Sequence, residues 1–219
     1  MYRLNFGFLS QFYGLLLEGA IRSLTIIFFS AIIGFIFGTM LALGRRANCK
    51  LLNVLCAAIV DVLRNTPFLV QLFFMFYGLA QLGIKTQPMI TVIITLGISA
   101  SASNCEVIRA GFLAVKKQYF ECSAALGFSP LLTLRYVVLP ISLRVAFKPL
   151  TNNFVNLILT SAVAFYIGIP ELMGNAQTII SRVSRPFEMY LVILMCYCIF
   201  TFALSFLAKI IDRRISITL

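Results

Sequence analysis

Residues 23–44 read SLTIIFFSAIIGFIFGTMLALG, with Arg22 before them and Arg45 and Arg46 after. This run of 22 uncharged residues decides the fold class. An α-helix needs about 20 apolar residues to cross the hydrocarbon of a bilayer. A charged residue at the centre of such a helix costs roughly 2.5–3.5 kcal/mol on insertion scales. A charge-free run of this length between basic flanks is therefore a membrane span. Working outward, the same test finds four more windows, at 65–84, 86–105, 149–170 and 189–208. Residues 4–17 are apolar on helical turns but interrupted by Ser10, Gln11 and Gly14, which reads as an amphipathic segment lying along the interface. No small-residue cleavage site follows the first span, so it is read as a retained helix. The expected architecture is a single all-α membrane domain of five spans over 1–219.

Composition agrees. Of 219 residues, 61% are hydrophobic and 11% charged, leaving too little polar surface for a water-soluble fold. The Lys and Arg distribution orients the chain. Thirteen (Arg45, Arg46, Lys50, Arg64, Arg109, Lys116, Lys117, Arg135, Arg144, Lys148, Lys209, Arg213, Arg214) fall in one set of connections and five (Arg3, Arg22, Lys85, Arg182, Arg185) in the other. The positive-inside rule makes the first set cytoplasmic, with the N-terminus outside and the C-terminus inside. The formal charge of +11 then reflects topology and lipid headgroups, and its scatter over three loops argues against nucleic-acid binding.

Covalent chemistry has no foothold. His is absent, and Cys49, Cys56, Cys105, Cys122, Cys196 and Cys198 lack metal-ligand spacing, so no metal site is expected. The seven carboxylates do not group inside a span, which argues against an intramembrane enzyme. No GxxxxGK[ST] loop is present, so this chain is not expected to bind nucleotide in that way.

The long inner connection carries the first functional clue. Within 116–140, a short helix over 119–128 is expected, with Glu121 in its first turn and Gly127, Ser129 and Pro130 ending it. Its small surface (Cys122, Ser123, Ala124, Ala125) permits close approach of another backbone, and Leu126 and Phe128 are apolar tips that fit a pocket.

The run ECSAALG at 121–127, followed after nine residues by Val137, Val138, Leu139 and Pro140, resembles the EAA loop of the membrane subunits of bacterial ABC importers. Asp61, Arg64, Thr66, Pro67, Val70, Gln71, Leu72 and Phe73 resemble the E-x-x-R-G-T-P-L-L-V-Q-L-F motif of polar amino acid permeases of the histidine and glutamine type. The segment from Glu106 to Gly111 with Gln118, and IGIPEL at 167–172, resemble further motifs of that family. The resemblance implies a type I importer permease in a bacterial inner membrane. Its implied partners are cytoplasmic ABC ATPase subunits, a second permease, identical or related, and an extracytoplasmic solute-binding protein. It also implies a coupling role for Glu121, Ala124, Ala125, Leu126, Gly127 and Phe128. Asp61 and Asn65 depart from the motif, as do Cys122 and Ser123, and Leu159 stands where these permeases often carry a lysine.

Polar residues inside the spans mark either a solute path or interhelical hydrogen bonds. Candidates for the path are Thr66, Gln71, Asn104 and the stripe Asn152, Asn156, Thr160, whose four-residue spacing shares one helix face. Two pairs three apart, Asp61 with Arg64 and Glu106 with Arg109, are either local ion pairs or an inner gate that exchanges partners. Gly34 and Gly38 form a G-x-x-x-G pattern suited to close helix packing. A self-contained carrier or channel fits the composition too, but lacks a buried acid for ion coupling and leaves the docking helix without a partner.

Overall fold

The computed structural model describes residues 4–217, with side chains to 213. Arg3 and the side chain of Arg214, both counted in the charge asymmetry, lie outside the described residues. Eight helices follow one another: α1 Leu9–Gly44, α2 Lys50–Asn65, α3 Phe68–Gln81, α4 Pro88–Leu113, α5 Lys117–Ala125, α6 Pro130–Ile167, α7 Leu172–Val183 and α8 Pro186–Ile217. Four of them (α1, α4, α6, α8) are long and apolar enough to cross a membrane alone, and α2 with α3 make up to a fifth.

The first span is longer than the charge-free window. α1 runs unbroken for 36 residues, so 9–17 continue the helix of the first span instead of forming a separate segment. The reason is tertiary. Phe12, Leu15, Leu16 and Ala20 pack against a cluster of Leu172, Ala176, Ile179, Met189 and Ile193 on α7 and α8, while Ser10, Gln11 and Gly14 face outward, where they do not interrupt the helix.

α1 and α4 form the centre of the bundle. Gly38 is one of the places where they touch closely: a Cβ built there would lie 2.8 Å from Asn104 Cβ and 2.9 Å from the Ser101 carbonyl oxygen. Small residues let van der Waals contact replace the hydrophobic drive that lipid removes, and Ser30 Oγ adds a hydrogen bond to the Ile93 carbonyl, 2.9 Å away. Gly38→Ala is expected to cost about 1–3 kcal/mol through overpacking. Gly38→Leu is expected to prevent accumulation of folded chain, read by size-exclusion profile in detergent; a normal profile for the leucine variant would refute this packing.

The second window, 65–84, is the place where the helical chain turns. α2 and α3 meet at 105° across Thr66 and Pro67. Thr66 is extended (φ −106°, ψ 129°), as the residue before proline prefers. α3 has 14 residues, about 21 Å of helix, less than the hydrocarbon thickness. Pro67 provides the break, and Gln71 provides the bonds that make it tolerable. Pro67 has no N–H for the Leu63 carbonyl; the Gln71 side-chain nitrogen donates to it instead (2.8 Å) and also to the Thr66 carbonyl (2.9 Å).

The fourth window is the second half of α6, which starts at Pro130. A wide π turn at Leu134–Val138 precedes Pro140 and accommodates its missing donor, so one helix carries the chain from the α5 loop into the bundle.

Candidate functional site

Three arrangements stand along the bundle: a short helix at one end, an ion cluster just inside that end, and a polar seam deeper in.

The short helix α5 occupies Lys117–Ala125. Glu121 is its fifth residue, not in its first turn, and pairs with Lys117 at 3.4 Å on the exposed surface. The sequence expectation misplaced the start because the helix begins two residues earlier, directly after extended Lys116. Its end is a Schellman motif. Gly127 adopts φ +74°, its N–H donates to the Ala124 carbonyl (3.0 Å), and the Phe128 N–H donates to the Ser123 carbonyl (3.0 Å). Ser129 then caps α6, with Pro130 in its first turn. The glycine stop and the next helix start lie within four residues of each other, so the chain turns sharply at the end of α5. Leu126 is 74% exposed and Leu131 73%, an apolar surface with nothing from this chain on it. Ala124, Phe120 and Phe128 line the opposite side, a groove of about 480 Å³ between α5 and the bundle end that also includes Phe112 and Arg46. The guanidinium of Arg46 stacks over the Phe112 ring at 5.2 Å.

In the ion cluster, Glu106 joins two helices. One carboxylate oxygen bonds Arg45 at the end of α1 and the other accepts from Arg109, one turn along α4, at 2.8 Å. Arg45 escaped the sequence reading because its partner is 61 positions away; only its place at the end of a charge-free run hinted at it. Asp61 and Arg64, by contrast, are both exposed, and no ion pair among the described residues joins them.

The polar seam lies between α3, α4 and α6. Ser99 and Ser103 on α4 face Asn153, Asn156 and Thr160 on α6 across a space of about 130 Å³ that Phe68 also lines. Buried Asn104 stands behind it, its Oδ1 accepting from Asn153 Nδ2 at 3.0 Å. Of the expected path residues, the structure therefore brings together Asn156 and Thr160 and sets Asn104 one layer back. It does not bring in Asn152, which lines a separate cleft between α6 and α8 with Lys148 and Asp212. Four-residue spacing drifts about 40° per step, and this rotates Asn152 off the seam. Thr66 and Gln71 also lie elsewhere, lining an apolar groove with Val70 and Phe74.

At the other end, Glu171 forms a lock that the sequence did not foretell. Its carboxylate is fully buried and accepts from Ser23 Oγ on α1 (3.0 Å), Met173 N (2.9 Å), Gly174 N (2.9 Å) and the Tyr197 hydroxyl on α8 (3.3 Å). Burial pushes the carboxyl above the usual carboxylate range, against the opposing pull of these donors. Glu171→Ala removes the N-cap of α7 and strands buried donors from three helices. The expected loss is roughly 3 kcal/mol, read as a lower unfolding temperature in detergent; an unchanged transition would show that the lock carries no stability.

A bundle of membrane-length helices with an exposed helix at one end and a polar seam inside has the parts of a transport subunit. The chain belongs to the family of binding-protein-dependent transport system inner membrane components, whose model matches residues 34–217. It is 32% identical over 200 residues to a probable glutamine ABC transporter permease protein of Bacillus subtilis, covering 91% of each chain. It is 30% identical to the glutamine transport system permease protein of Escherichia coli, covering 93% of this chain and 94% of that one. Among solved structures, an amino acid ABC transporter superposes with a TM-score of 0.91 at 30% identity, covering 97% of this chain and all of that chain. The fold class is that of type I ABC importer permeases, all-α and multi-pass.

Proposed function

We propose that this chain forms one half of the solute path of an ATP-driven importer for polar amino acids in a bacterial inner membrane, with its N-terminus outside. The observation that carries this reading is α5: a nine-residue helix held by a Schellman motif at its end, presenting exposed Leu126 and Glu121 away from the bundle. Such a helix suits insertion into a groove on a cytoplasmic ABC ATPase, which binds the ATP and Mg. Glu121, Ala125, Leu126 and Gly127 form the outward coupling surface, and Ala124 and Phe128, which line the groove behind it, complete the coupling segment. The similarity to glutamine permeases supports amino acids as cargo. The limited polar surface of one seam supports a second permease, identical or related, completing the path, with a solute-binding protein delivering cargo from outside.

The Glu106 cluster is proposed as the inner gate, with Arg45 and Arg109 as exchangeable partners. Asp61 and Arg64 are free to join it in another conformation. Glu106→Arg is expected to leave the subunits assembled but to raise futile ATP hydrolysis several-fold while uptake falls. A variant with normal coupling and only reduced expression would make the cluster a static brace.

The whole reading is tested by crosslinking in native membranes, purification of this chain and mass spectrometry of its companions. An ATPase crosslinked near Lys116 or Lys117 is the expected result. If no ATPase is recovered under conditions that preserve other complexes, a self-contained carrier or channel becomes the better account.

A further inference from the structure

Nothing so far says which amino acids could pass. The seam carries information on this point, and the inference rests on the permease reading above. Three polar groups in it make no hydrogen bond among the described residues: the hydroxyls of Ser99 and Ser103, one helical turn apart on α4, and the side-chain amide of Asn156 facing them. All three are neutral groups that both donate and accept. No Asp, Glu, Lys or Arg occurs in α3, in α4 before Glu106, or in α6 after Lys148.

The two flanking charges are already engaged elsewhere. Glu106 is bonded by Arg45 and Arg109, and Lys148 is drawn toward Asp212 on α8 at 3.6 Å. An ion held in such a seam would lose water without gaining a counter-charge from this chain, which is costly at membrane depth. A zwitterion differs, because its two backbone charges cancel over a short distance and an uncharged polar side chain can use the hydroxyls and amide.

We infer that the seam of Ser99, Ser103 and Asn156 is a neutral hydrogen-bonding subsite that passes amino acids with uncharged polar side chains and rejects cationic and anionic ones. Selection by the permease is then additional to any selection by the binding protein. The isosteric change Asn156→Asp isolates it, because the same binding protein serves both versions of the complex.

The test is ATP-driven uptake by the purified complex in proteoliposomes, with labelled glutamine, serine, arginine and aspartate as probes. The wild type is expected to carry glutamine or serine at least tenfold faster than arginine and aspartate. Asn156→Asp is expected to lower glutamine uptake tenfold or more and to move the arginine-to-glutamine ratio toward arginine by a similar factor, while Asn156→Ser keeps the wild-type ratio. Ser103→Asp provides the same comparison if Asn156→Asp fails to assemble.

Equal wild-type uptake of arginine or aspartate would overturn the neutral subsite and leave the permease reading intact. An unchanged ratio in both aspartate variants would place selection outside this seam and also overturn it. A complex that hydrolyses ATP but moves no amino acid would instead sink the amino-acid reading itself.

Discussion

Gly127→Arg is expected to abolish uptake while leaving the chain folded and inserted. The position combines two properties. Its φ of +74° suits glycine, and a Cβ placed there would meet nothing within 4 Å. A β-carbon there therefore costs the left-handed backbone term, about 1–2 kcal/mol, without a clash of its own. If α5 is the coupling helix, the empty space beside Gly127 is where the ATPase approaches, and an arginine would hold the surfaces apart. Loss of even 3 kcal/mol of docking energy corresponds to more than about 100-fold in association. Gly127→Ala separates the two causes, since it carries the same backbone cost with almost no bulk. Uptake within a few-fold of normal for alanine, with none for arginine, together with loss of ATPase co-purification for arginine alone, is the expected pattern. Equal defects in both variants would mean that Gly127 matters only for ending α5, and equal activity in both would remove the coupling assignment.

The second large effect is expected at Gln71. Its amide nitrogen engages the Leu63 and Thr66 carbonyls at the bend between α2 and α3, leaving Oε1 buried without a partner among the described residues. Gln71→Leu keeps the volume and removes both bonds, so two carbonyls lose their partners in an apolar setting. The expected cost is roughly 2–4 kcal/mol, seen as a lower unfolding temperature, with uptake falling further because the angle of α3 positions Phe68 over the seam. Adding Pro67→Ala tests the cause. It restores an N–H that can serve the Leu63 carbonyl in a continuous helix, so the double variant should regain stability but not uptake. A stable single variant would show that water alone supports the bend, and uptake restored in the double variant would show that the 105° angle is not required.

These two positions show how much was legible beforehand. Gly127 could be assigned from sequence because a helix-ending glycine is a local event, settled by residues within one turn of it. Gln71 could not. It stood among the path candidates because a polar residue in an apolar window signals function, yet its actual partners depend on a proline four residues earlier and on how the chain turns there. The same contrast runs through the rest. The spans were visible because lipid imposes a rule on each segment separately, and absence of charge satisfies it whatever the neighbours do. Asn152 and Asn156 share a period but not a surface, since only the packing of α4 and α8 on either side of α6 assigns each to its cleft.

Taken alone, the amino-acid order determined the membrane solvent, the apolar windows, the unequal charge of the loops and the short helix with its glycine stop, all of which follow from local hydropathy and backbone preference. The tertiary structure decided which helix each polar group meets: Glu106 with Arg45, Glu171 with Ser23 and Tyr197, Asn153 with Asn104, and the meeting of Ser99, Ser103 and Asn156. Those pairings depend on helix rotation and depth, and in lipid these are set by close packing of small residues such as Gly38 and by the need to satisfy each buried polar group, conditions that no single segment can meet by itself.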